Sequence, residues 1–205
     1  MARTSKNFEM AEEIQQIHPI RVIQVLALLG SLRKASFNRM LLAAAIELAP
    51  EGVQFETAEI GDFPLYNQDV ENAGIPPQVR RFKEQIRNAD ALLFATPEYN
   101  YSMPGVLKNA IDWASRPPKE NPFNGKPCAM MSASTGMGGG SKAQYHLRQS
   151  CVFVNLIPMN RPEIILQRCA DKFDANGKLT DEATRTFLTA FMQSFKEWVE
   201  RMQQH

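Results

Sequence analysis

The sequence predicts an α/β fold in which one parallel sheet carries helices on both faces. Three observations point to it. Short, almost wholly apolar runs such as Arg21–Leu29 and Ala91–Ala95 recur along the chain, as strands covered on both faces require. Stretches with apolar residues at helical spacing separate these runs, and alternation of the two kinds builds a parallel sheet. The length, 205 residues, suits one such domain with a single core.

The elements follow in order. Arg21–Leu29 (RVIQVLALL) is the first strand and Gly30 ends it. A helix begins at Phe37 with Met40, Leu41, Ala44, Ala45 and Leu48 on one face, and Pro50-Glu51-Gly52 stops it. Val53–Ile60 alternates and reads as a second, more exposed strand. Asp62–Asn72 is a loop, and Pro76-Pro77 opens a helix running to Asn88, proline being well placed in a first turn. Ala91–Ala95 is the third strand. Pro104 opens the next helix, which runs to about Ser115. After the polar connector Pro117–Gly125, the fourth strand spans Pro127–Ser132. A helix covers Lys142–Gln149, and Val152–Ile157 reads as the fifth strand, extended after Pro158 by Glu163–Leu166. Asp174-Ala175-Asn176-Gly177 is a turn. The last helix runs from Asp181 to about Met202, with Phe187, Leu188, Phe191, Phe195, Trp198 and Val199 toward the core. Right-handed crossovers then put the ligand beyond the carboxyl ends of the strands.

Charge and composition exclude several classes. Lys and Arg total 23 against 22 Asp and Glu, a net charge of +1, without the basic stripe of a nucleic-acid binder. No apolar run reaches the roughly 18 residues that span a bilayer. Residues 1–19 are polar, carry Glu9, Glu12 and Glu13, and read as an N-terminal extension that is neither a secretory nor an organellar signal, leaving residues 20–205 as the folded domain. Cys128, Cys151 and Cys169 lack CxxC spacing, which fits a reducing compartment and hence the cytoplasm, and Cys128 and Cys151 read as small buried hydrophobes. Cysteine and histidine do not cluster, so no metal site is expected. His18 falls in the extension and His205 at the terminus, while His146 reads as a surface or interface residue.

The loops after the first, third and fourth strands carry the chemistry. In Gly30–Asn38, Ser31 and Ser36 supply hydroxyls, Asn38 an amide N–H and Arg33 a guanidinium, all at a helix N-terminus, where free N–H groups and the helix dipole hold a phosphate. A plain capped helix is the alternative, but four such donors in eight residues exceed what capping one helix needs. Neither GxxxxGK[ST] nor GxGxxG is present in this loop, so it suits a mononucleotide such as FMN. The loop Thr96–Gly105 (TPEYNYSMPG) offers aromatic and amide groups for a flat ring and its polar edge, or else a Pro-rich turn with tyrosines on the surface. In Ser132–Ser141 the glycines allow a close approach of backbone to a ligand ring, or simply a flexible connector.

Gly30-Ser31-Leu32-Arg33 with Ser36 and Asn38, then Pro97-Glu98-Tyr99-Asn100 running into Pro104-Gly105-x-Leu107-Lys108-Asn109-Ala110-Ile111-Asp112-Trp113, resembles the NADPH-dependent FMN reductase family; Tyr145-His146-Leu147-Arg148-Gln149 resembles its bacterial chromate and quinone reductase branch. The resemblance implies a flavodoxin-like three-layer sandwich with a five-stranded parallel sheet of order 2-1-3-4-5, holding FMN. It implies cofactor contacts from Ser31, Arg33, Ser36, Phe37 and Asn38 at the phosphate end, and from Pro97, Glu98, Tyr99, Asn100, Tyr101 and Ser134 around the flavin ring. It implies a homodimer or homotetramer, with Tyr101, Lys142, Tyr145 and Glu163 in a polar network at the tetramer contact; Lys142 stands where the branch has arginine. The implied activity passes electrons from NADPH or NADH to quinones, free flavin, azo compounds or chromate in a ping-pong cycle. No side chain is assigned a catalytic role, because flavin N5 carries the hydride. A flavodoxin-type electron carrier and a flavin-binding sensor module are the competing readings, the first disfavoured by a charge of +1 where docking carriers tend to be acidic.

Overall fold

The structure is a computed structural model and describes residues 21–204. The expected N-terminal extension, with His18, and the terminal His205 lie outside the described residues. Strands β1 (Ile23–Leu29), β2 (Val53–Ala58), β3 (Ala91–Ala95), β4 (Pro127–Ala133), β5 (Ile157–Pro158) and β6 (Ile164–Leu166) form one sheet. Its order is β2-β1-β3-β4-β5, with β6 also on β4, and every pairing is parallel. This is the flavodoxin-like order. The helices are α1 (Phe37–Glu47), α2 (Gln68–Ala73), α3 (Pro77–Asn88), α4 (Gly105–Ala114), α5 (Ser141–Val154) and α6 (Glu182–Gln203).

Two cores follow from the alternation of side chains along each strand. Val25, Ala27 and Leu29 of β1 join Leu93 of β3 and Met131 of β4 under α1 and α6, with Leu188, Phe191, Phe195 and Val199 as the buried stripe of α6. Leu26 and Leu28 join Leu92, Phe94 and Met130 on the opposite face, packed by Phe82 and Ile86 of α3, Leu107 and Trp113 of α4, and Leu147 and Cys151 of α5. Burying one such aliphatic side chain contributes about 1.5–3 kcal/mol. The three central strands therefore have little freedom to slip, and their ends are fixed platforms for loops.

Three expectations need correction. Val152–Val154 is not strand. It is the last turn of α5, which runs on from Lys142 because Leu147, Cys151 and Val154 recur on its buried side while Val152 and Phe153 face outward, 81% and 79% exposed. Asn155, in the left-handed conformation, ends the helix. The fifth strand position is instead filled by the two short strands β5 and β6, each paired with β4. Within the expected loop 62–72 a short helix, α2, starts at Asn67, whose side chain accepts from Asp69 N–H at 2.8 Å. Phe187 of α6 is half exposed rather than core-facing.

Candidate active site

β1, β3 and β4 end at one edge, because Leu29 pairs with Ala95, Ala95 with Met131 and Ala133 with Leu166. The next residues stay tied to the ladder: Gly30 N–H donates to Ala95 C=O at 2.9 Å, Thr96 N–H to Met131 C=O at 3.0 Å, and Ser134 N–H to Leu166 C=O at 3.0 Å. The three loops singled out in the sequence therefore start side by side from a rigid edge.

In the first loop, Ser36 stands at the N-cap of α1 in extended backbone, yet its side chain makes no capping bond. No acidic residue lies in the first turn. The positive end of α1 is thus left for a ligand anion. Ser31 and Ser36 are buried there. The Arg33 guanidinium lies over the Phe37 ring at 5.8 Å, and Phe37 packs against Phe173 at 5.9 Å. Among the described residues Arg33 has no carboxylate partner. Asn38 does something other than expected. Its amide donates to Ala133 C=O and its carbonyl accepts from Ala133 N–H, both at 2.9 Å and both buried. It bridges α1 to the end of β4, and one amide hydrogen remains for any other partner.

The second loop closes as a tight turn. Tyr99 N–H donates to Ser102 C=O at 2.9 Å and Ser102 N–H to Tyr99 C=O at 3.0 Å. Asn100 and Tyr101 sit at φ 50° and 65°, the signature of a type I′ turn. A side chain in the left-handed region costs about 1–2 kcal/mol, which surrounding contacts must offset. Tyr99 and Tyr101 are exposed. The Glu98 carboxylate caps α5 from outside that helix, accepting from Lys142 N–H at 3.0 Å and Ala143 N–H at 3.4 Å. Lys142 Nζ stands 3.2 Å from the centre of the Tyr101 ring, and His146 Nδ1 is 2.9 Å from Ser102 Oγ.

The third loop divides its glycines between two tasks. Gly140 has φ 92°, and a Cβ there would stand 2.6 Å from Ser132 Cβ; at Gly139 it would stand 2.6 Å from Ile165 Cγ2. These two serve close packing against the protein itself, not approach to a ligand. A Cβ at Gly138 would meet nothing within 4 Å, and one at Gly136 only Ser134 Oγ, so that side of the loop is open. Ser132 Oγ donates to Gly139 C=O at 2.7 Å and accepts from Gln144 Nε2 at 2.8 Å, while Gln144 also donates to Ile164 C=O at 2.7 Å. Gln144 Oε1 is buried without a partner.

Two contributors were not singled out from the sequence. Gln144 is a polar residue in the buried stripe of α5, and that mismatch was the signal. The segment Leu166–Cys169 docks on the third loop, with Arg168 N–H on Gly136 C=O at 3.3 Å and Cys169 N–H on Ser134 C=O at 3.1 Å; no motif marked it. Burial raises the Cys169 thiol pKa, an effect that its backbone hydrogen bond and then the Arg33 charge partly offset. Glu163, expected in an intersubunit network, lies 3.7 Å from Arg148 of its own chain.

Uncapped helix N–H groups, and an arginine and hydroxyls without partners among the described residues, together with an open glycine edge, fit a ligand with a phosphate and a flat ring. Residues 23–171 match the family model described as NADPH-dependent FMN reductase. The chain belongs to that family. It is 54% identical over 180 residues to an NAD(P)H-dependent FMN reductase of Pseudomonas aeruginosa, covering 88% of this chain and 97% of that one. A quinone reductase of Pseudomonas putida is 48% identical over 179 residues, covering 87% and 96%. An NADPH:quinone oxidoreductase of Arabidopsis thaliana is 46% identical over 198 residues, covering 94% and 98%. The solved structure of FerB, a flavoenzyme NAD(P)H:(acceptor) oxidoreductase from Paracoccus denitrificans, superposes with TM-score 0.83 at 41% identity, covering 88% of this chain and 99% of that one. Membership of the FMN reductase family makes FMN the cofactor and NAD(P)H the electron donor.

Proposed function

We propose that this FMN reductase family member passes electrons from NAD(P)H to quinones and similar small acceptors, with FMN seated across the three loops. The observation that carries the reading is the uncapped α1 N-terminus with Ser31, Ser36 and Arg33, which has no acidic partner among the described residues, on the same sheet edge as the second loop and the open side of the third. The chemistry FMN supplies when bound is acceptance of two electrons from NAD(P)H and their release to an acceptor. The chain's own residues bind and orient. Ser31, Ser36 and the α1 N–H groups hold the phosphate, and Arg33 adds a charge-assisted bond. Phe37 supports Arg33 from below. Pro97, Glu98, Tyr99, Asn100, Tyr101 and Ser134 frame the ring, with Tyr99 and Tyr101 exposed at its rim, while Asn38 acts mainly by tying the first loop to the third.

Donor and acceptor take turns at one open face, which is a ping-pong sequence. Quinone acceptors accord with the quinone reductase relatives; free flavin, azo compounds and chromate fall within the same open-pocket reading. Initial rates with varied NADPH at several quinone concentrations should give parallel double-reciprocal lines, and intersecting lines would contradict the scheme. We further propose a homo-oligomer acting in the cytoplasm. Val152 and Phe153 of α5 and Leu65 are about 80% exposed, more apolar surface than a monomer needs there. Among the described residues no helix is long and apolar enough to cross a membrane.

A further inference from the structure

One face of α5 converges on a single turn. The turn Tyr99–Ser102 is closed by two backbone bonds and holds two non-glycine residues, Asn100 and Tyr101, in the left-handed region that side chains disfavour. Such a conformation persists only where its surroundings over-determine it. α5 supplies those surroundings at three points. The Glu98 carboxylate binds the Lys142 and Ala143 N–H groups and fixes the start of the loop. The Lys142 ammonium covers the Tyr101 ring. His146, one helical turn beyond Lys142, places Nδ1 2.9 Å from the hydroxyl of Ser102, the residue that closes the turn. His146 and Ser102 also line one cavity of about 490 Å³, bordered by Met103, Gly105, Lys108 and Gln149.

We propose that His146 is a positioning residue, which through the Ser102 hydroxyl keeps the turn in the left-handed form that the flavin contacts of Asn100 and Tyr101 require. The inference rests on the proposed function, since it takes this turn as part of the flavin site. The bond needs a polar atom at the place of Nδ1 and not a titrating ring: a neutral imidazole nitrogen accepts from the hydroxyl, and a protonated one donates to it. An asparagine amide can serve the same place.

The test compares wild type, His146→Leu and His146→Asn by two readouts: hydrogen exchange of the 96–103 segment in apoprotein and FMN Kd by fluorescence. His146→Leu should speed exchange in the turn and raise the FMN Kd about three- to tenfold, the range of one hydrogen bond. His146→Asn should restore both. A Leu variant that matches wild type in exchange and Kd overturns the inference and leaves the flavin reading intact. A Leu variant that fails and an Asn variant that does not rescue overturn it as well, since the ring's protonation and not its bond would then matter. Wild-type apoprotein that takes up no FMN overturns the flavin reading itself and this inference with it.

Discussion

Arg33 and Asn38 stand five residues apart and have opposite jobs. Arg33 touches a ring of its own loop and no acid among the described residues, so its charge is available to a ligand and contributes little to the fold. Asn38 is buried and doubly bonded to Ala133. Arg33→Ala should therefore leave the urea midpoint unchanged and weaken FMN binding by about 1.5–3 kcal/mol, the worth of a hydrogen bond to a charged group. Asn38→Ala strands a buried N–H and C=O and should cost about 2–4 kcal/mol of stability, read as a lower urea midpoint. If Arg33→Ala unfolds the protein, or if it leaves FMN binding intact, the division of labour is wrong. The same two residues show what was legible in the sequence. Both were visible as polar residues in a strand-to-helix loop, but which one faces a ligand depends on a partner 95 positions away, beyond any local pattern.

The elements repeat that lesson at larger scale. The run Cys151-Val152-Phe153-Val154 has the β-branched and aromatic makeup of a strand, yet it is the last turn of α5, because Leu147, Cys151 and Val154 continue a helical stripe against the sheet. Propensity lost to packing. Of the remaining helices, the six-residue α2 was too short to show an apolar stripe, while α1, α3, α4 and α6 were legible from theirs. α6 is one case: Asp181 caps it, accepting from Thr184 N–H at 3.0 Å and from the Thr184 hydroxyl, and pairs with Lys172 at 2.9 Å. The Thr184 hydroxyl bond first, then Lys172, holds the Asp181 carboxyl down at about 2, against 3.8 ordinarily. A carboxyl whose pKa is lower in the folded state stabilises above its unfolded value, and that stability fades as pH falls from about 4 to about 2. Asp181→Asn should thus lower stability at pH 7 and flatten the acid limb of the stability profile in that window. A variant whose acid limb parallels wild type would contradict this role for the cap.

At the scale of the molecule, the strand order of the sheet came only with the family resemblance, whereas the parallel sheet itself was readable because buried strands alternate with amphipathic helices. The place of the site followed from the same rule, the loops after β1, β3 and β4. The glue between those loops was not readable. Glu98 on the α5 N-terminus, His146 on Ser102 and Leu166–Cys169 on the third loop join segments more than 30 positions apart in the chain, and no local pattern names those partners. The third loop shows the limit most plainly, since half of its glycines serve packing against Ser132 and Ile165. On the proposed reading, function in this fold comes from a rigid strand edge, a bare helix terminus and a clamped turn acting together. One measurement tests that account most directly: the visible spectrum of the purified protein, reconstituted with FMN and held without oxygen, before and after stoichiometric NADPH. The account predicts a bound-flavin spectrum that bleaches within seconds and returns on adding a quinone. A flavin spectrum that NADPH and NADH both leave unchanged, or a protein that retains no FMN, would contradict it.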